Sequence, residues 1–167
     1  MFITVANYTA ARPKIIDTDT SKAKQNGWYV ELAGQSLLGL TFNYERYLSR
    51  APGGFSVHIG AGGGYITDFF SDDALAFVAV PAGISYNLPL STNNRHFFEM
   101  GVGYTFFIVS SDGGNIASII TSYRYQSRSG KFQLRATFMP ATFLLNDGDT
   151  NNSHTISWVG LSIGRRF

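Results

Sequence analysis

Large apolar residues alternate with small or polar ones along most of the chain. Between positions 98 and 106, Phe98, Met100, Val102, Tyr104 and Phe106 interleave with Glu99, Gly101, Gly103 and Thr105. Leu38, Leu40, Phe42 and Tyr44 interleave in the same way with Gly39, Thr41, Asn43 and Glu45. A period of two places the first set on one face of a strand and the second on the other. From position 27 onward the pattern predicts eight strands and no helix, at roughly 27–35, 37–48, 54–66, 75–86, 95–109, 116–126, 131–143 and 154–167. The stretches "SRAPGG", "TDFFSDDA", "NLPLSTNN", "SSDGGN", "SRSG" and "NDGDTNN" separate them and carry the Gly, Asn, Asp and Pro of turns. Residues 1–26 are polar and irregular and read as a tail ahead of a single domain over 27–167.

Eight strands of this length suit an all-β, closed, antiparallel, up-and-down barrel, because closure removes the exposed sheet edge. The apolar face also carries Trp28, Val30, Leu32, Phe55, Val57, Ile59, Val78, Val80, Ile84, Phe132, Leu134 and Phe138. The opposite face carries Ser56, His58, Gly60, Gly62, Gly64, Gln133, Arg135 and Thr137. A soluble lipocalin-like carrier would turn the bulky set inward, whereas a membrane barrel turns it outward and fills its lumen with polar groups. An eight-stranded barrel has room only for side chains. Five or six bulky residues per strand would overfill it. The expected fold is therefore a transmembrane barrel.

Composition agrees with this expectation. Charged residues are 14% of the 167, against about 25% in ordinary soluble domains. The net charge is +2 and the basic residues form no tract, so nucleic acid is not an expected partner. The absence of Cys removes disulfides and thiolate chemistry. The longest apolar stretch, "ALAFVAVPAGI", is too short for a transmembrane helix and contains Pro. Residues 1–26 make a poor signal peptide, so an exported protein would have lost its signal already or have one lying outside this start.

The final strand, "SWVGLSIGRRF", ends on Phe167. A terminal aromatic after alternating residues resembles the signal by which bacterial outer-membrane barrels engage their assembly machinery. Arg165 stands where that signal usually has an aromatic or apolar residue. Five phrases in order, "VELAGQSLLGLTFNYERYL", "VPAGISYNLP", "HFFEMGVGYTFF", "SYRYQSRSGKFQLRATFMP" and "GLSIGRRF", resemble the small eight-stranded outer-membrane β-barrel proteins typical of Bacteroidetes. The resemblance spans residues 28–167. It implies an outer-membrane location and no particular activity.

With both termini at one end, Glu31, Glu45, His58, Glu99, Arg124 and Arg135 come from six strands to one level of the lumen. Buried charges must be paired, and these six nearly cancel if His58 is protonated. They read as a salt-bridge plug, with a proton-coupled or gated pore as the sharper alternative. Outward Arg46 and Arg165 lie near the periplasmic rim, where they can snorkel to lipid phosphates. Trp28, Tyr86, Tyr125, Phe132 and Phe167 fall at the same level as an aromatic girdle.

Asp147, Asp149 and Asn151 alternate in "NDGDTNN", but Asn152 and Trp158 occupy the places where an EF-hand needs Gly and Glu, so no metal is expected. Phe69 and Phe70 lie in an outer loop. Asp149, Ser153 and His154 form the one cluster placed for lipid hydrolysis, without the spacing of a nucleophile and base. The leading expectation is a monomeric, non-enzymatic outer-membrane barrel without cofactor, acting in envelope structure or in surface interaction through its loops. Its expected partners are the bilayer, lipopolysaccharide and the assembly machinery. The alternatives are a lipid-modifying enzyme and a soluble carrier.

Overall fold

A computed structural model describes residues 24–37, 39–50, 53–67, 74–109, 114–129, 131–144 and 153–167. The alternating segments become eight strands: β1 Asn26–Ala33, β2 Leu40–Tyr47, β3 Gly54–Thr67, β4 Ala74–Pro89, β5 His96–Val109, β6 Gly114–Gln126, β7 Phe132–Leu144 and β8 Ser153–Arg166. Each pairs antiparallel with its sequence neighbour, and β8 pairs with β1 to close the barrel. Closure runs from Gly27 opposite Arg166 to Ala33 opposite Gly160. The Phe167 backbone N–H donates to the Asn26 carbonyl at 2.8 Å, just beyond this ladder.

The bulky apolar set faces out. Leu40, Phe42, Val57, Ile59, Met100, Val102, Leu134, Leu161 and Ile163 are all exposed on the exterior. Val30, Val80, Phe98 and Tyr104, assigned to the same face, are half-buried. Glu31, Thr41, Asn43, Glu45, Ser56, Glu99, Thr105, Gln133 and Thr137 are buried in the interior. The polarity of an ordinary soluble domain, apolar within and charged without, is thus inverted.

Two features depart from the sequence-based expectation. First, β1 stops at Ala33 and β2 begins at Leu40, where single strands over 27–35 and 37–48 were expected. Residues Gly34–Ser36 form a 3-10 turn whose three residues are buried inside the barrel. Gly34 has φ 71°, and Ala33 and Leu37 flank it at φ 59°, a region that residues with a side chain seldom adopt. Close packing holds the turn in. A Cβ on Gly160 would lie 2.6 Å from Gly34 Cα, and a Cβ on Gly103 would overlap the Gln35 amide. Two interior glycines, one on β8 and one on β5, therefore make the space that the turn fills. The Trp158 indole N–H donates to the Gly34 carbonyl from β8.

Second, the interior is not uniformly small and polar. At the end away from the termini, Phe77, Ala79, Phe107 and Ile116 form an apolar cluster, with Leu37 and Trp158 packed against it. Ile120 and Met139 are also buried. The barrel is thus filled in two layers, apolar at the far end and charged at the end that carries the termini. Because β1 and β2 have 8 residues against 13–16 in the other strands, their ladders stop at Gly63 of β3 and Gly160 of β8. The 3-10 turn enters the interior at that level.

Residues 1–23 of the expected tail lie outside the described residues, as do Leu38, Phe69, Phe70, Asp147, Asp149, Asn151 and Asn152. The side chains of Ser153 and His154 are also outside the described set.

Candidate functional site

Strand alternation brings Glu31 of β1, Glu45 of β2, His58 of β3, Glu99 of β5, Arg124 of β6 and Arg135 of β7 into the barrel, and all six are buried. Their heights follow from register. Arg124 lies opposite Arg135 across β6 and β7, and Glu45 lies opposite His58 across β2 and β3.

Arg135 is the hub. Its Nη2 donates to both oxygens of Glu45, at 2.9 and 3.1 Å. Its Nε lies 2.7 Å from Glu99 Oε2. The guanidinium plane sits 4.5 Å from the centre of the Tyr29 ring. Arg124 meets the other oxygen of Glu99 at 3.0 Å. Arg124 is wholly buried, and its guanidinium lies 4.5 Å from the Phe97 ring and 5.0 Å from the Tyr47 ring. Aromatic faces thus take the place of water around two buried cations. The Tyr47 hydroxyl donates to Glu45 Oε2 at 2.8 Å.

Glu31 and His58 are also buried in the interior and serve the inward turn. The Glu31 carboxylate accepts from the Gln35 backbone N–H at 3.3 Å. His58 Nε2 lies 2.7 Å from Gln35 Oε1 and donates to it in the Nε2–H tautomer. The turn is therefore tied to the charge layer by one carboxylate and one imidazole. Of the six residues expected to form a network, four make direct ion pairs and two connect through Gln35.

A third cation completes the layer. Arg166 of β8 is 4% exposed and stacks 3.7 Å from the centre of the Tyr47 ring. It donates to Gln126 Oε1 at 3.0 Å and to the Lys24 carbonyl at 2.6 Å. In formal count three guanidiniums then stand against three carboxylates, without a charge on His58. Arg166 follows outward Arg165 in the alternating last strand, so parity was the available signal for its inward position. The same parity sets Tyr29, Tyr47 and Phe97 inward, beside outward Trp28, Arg46 and Phe98. They occupy interior positions where small or polar residues were expected, and they fill the space between the guanidiniums.

The residues expected to anchor the rim all lie on the exterior. Trp28, Tyr86, Phe132 and Phe167 are exposed, as are Arg46 and Arg165, and Tyr125 is half-buried. Phe132 and Trp28 pair with Arg165 from either side, so these three share one level. Arg46 lies opposite Asn26 at the same end of the barrel. Among the described residues, no group of His, Asp or Glu has the arrangement of a metal site.

This interior can hold charges rigidly and fill a barrel. Comparisons of the chain with protein-family models, with curated proteins and with solved structures return no match.

Proposed function

We propose that this chain is a bilayer-spanning barrel of the bacterial outer-membrane type, with a lumen filled by side chains and a structural or surface-interaction role. The observation that carries the reading is the inverted polarity: an exterior of exposed Leu, Val, Ile, Phe and Met around an interior of paired Glu and Arg. Water would not tolerate so continuous an apolar wall on a monomer. A bilayer requires it, and also requires that every backbone group of the wall be paired within the barrel.

Strand dimensions support the same reading. A 14-residue strand such as β5 extends about 46 Å at about 3.3 Å per residue. Tilted by about 40°, it rises about 35 Å, enough to cross an apolar band about 25 Å tall. Trp28, Tyr86, Tyr125 and Phe132 fall at the end bearing the termini, where an interfacial girdle belongs. The charge layer together with the inward turn leaves a plugged lumen, which supports a non-conducting role over a pore.

The test combines insertion and conductance. Chain refolded from urea into lipid vesicles is expected to become protease-resistant and to migrate differently in SDS before and after boiling. In planar bilayers it is expected to show no steady conductance. A monomer that stays folded in buffer without detergent overturns the membrane reading. A stable open channel overturns the plug.

A further inference from the structure

We propose that the outer wall carries a binding site for one phospholipid of the leaflet nearer the chain termini. An acyl chain would lie in a groove across β6, β7, β8 and β1, with the lipid phosphate at Arg165. This inference rests on the bilayer-spanning reading above.

The groove has a physical origin in one residue. The outward row of β7 reads Phe132, Leu134, Ala136, Phe138, so a single methyl group interrupts bulky side chains. Across the ladders Ala136 faces Tyr123 on β6 and Leu161 on β8. Those two side chains wall a trough whose floor is the β7 backbone. The resulting cavity is about 550 Å³, and Leu32, Tyr123, Tyr125, Leu134, Ala136 and Leu161 line it. Small-molecule sites fall within about 300–1,000 Å³.

A cation lies one outward pair beyond the groove lining. Ile163 and Leu134 line the groove as a facing pair, and the next outward pair toward the termini is Arg165 and Phe132. Arg165 is exposed on the exterior. It is two residues, about 7 Å, along β8 from the groove lining. Trp28 flanks it on β1, and Lys131, also exposed, precedes Phe132. An apolar groove with an exposed Arg and Lys beyond its lining on the side of the termini is complementary to a molecule with an acyl chain below an anionic phosphate. Guanidinium suits that phosphate, since it can donate two parallel hydrogen bonds. A second copy of the chain is a poorer fit, because it would bring its own Arg165 and Lys131 to the same edge.

The test is native mass spectrometry of the full chain refolded in detergent with palmitoyl-oleoyl phosphatidylglycerol, after vesicle insertion and heat-dependent migration have been recorded. Wild type is expected to retain one phosphatidylglycerol. Ala136→Phe fills the trough and is expected to lower the bound fraction at least tenfold. Arg165→Gln leaves the trough intact and is expected to weaken retention by a similar factor. Arg50→Gln, at an exposed position after β2, is expected to change nothing. Both groove variants should keep heat-dependent migration, which shows that they fold. Oleate, an acyl chain without phosphate, is expected to bind far more weakly. No retained lipid, retention undiminished in Ala136→Phe, oleate held as tightly as phosphatidylglycerol, or a dimer in place of the adduct would each overturn the site. A wild type that inserts into vesicles yet retains no lipid defeats this inference alone. One that fails to insert defeats the membrane reading and this site together.

Discussion

Replacing Arg135 by Met removes the cation that two carboxylates share while keeping an unbranched side chain against Tyr29. In the native barrel Arg135 lies within 2.9 Å of Glu45 and 2.7 Å of Glu99. After the change Glu99 keeps Arg124 at 3.0 Å, whereas Glu45 loses its direct ion pair among the described residues and keeps the Tyr47 hydroxyl at 2.8 Å. Glu45 is 2% exposed, so its charge has little recourse to water. Stranding one member of a buried pair costs about 3–5 kcal/mol, and water admitted to the lumen lowers that figure. Neutralising the stranded carboxylate as well should recover most of the loss, since an apolar or neutral replacement of a whole buried pair is often tolerated. Arg135→Met is therefore expected to be rescued by Glu45→Gln, with a coupling of about 2 kcal/mol in the double-mutant cycle. The assay is urea unfolding of the barrel in detergent micelles, followed by tryptophan fluorescence and by unboiled SDS migration. A loss under about 1 kcal/mol, the value of a solvent-exposed pair, would refute the buried-hub reasoning. An additive double mutant would refute the pairing.

Arg124→Ala is expected to destabilise the barrel by about 3 kcal/mol or more in the same assay, while exposed Arg46→Ala stays near wild type; equal losses would contradict the placement of Arg124 in the interior. Val102→Arg puts a charge on the exposed exterior and is expected to cost about 2–4 kcal/mol in vesicles, with Val102→Leu as the neutral control. Gly160→Ala directs a methyl group at the Gly34 backbone. It is expected to push the inward turn out, at a cost of about 1–3 kcal/mol, and to shift the indole N–H resonance of Trp158 as its bond to Gly34 is lost. An unchanged resonance would show that the turn does not depend on that space.

The sequence alone determined the strand count, the face of each strand and hence the barrel. These depend on a period of two, which is local and repeats through every segment. The inward face of each interior charge also followed, because side chains alternate along a strand. Thus Glu31, Glu45, His58, Glu99, Arg124 and Arg135 were legible as inward-facing side chains, and all six are buried. Their partners were not. Which carboxylate meets which guanidinium depends on barrel stagger and side-chain reach across the lumen, and neither is written in any one strand. The tertiary structure alone decided that Arg135 joins Glu45 and Glu99, and that Arg166 supplies the third cation through Tyr47. It also decided that Gly34–Ser36 leaves the wall. In the chain those residues merely continue between two strand patterns. Only when Gly103 and Gly160 from distant strands face the same point does an empty volume exist for the turn to fill. The groove at Ala136 has the same origin. A lone alanine is unremarkable in one strand and becomes a trough when Tyr123 and Leu161 stand on either side of it. Periodicity is a property of neighbours in sequence, whereas packing space is a property of neighbours across the barrel.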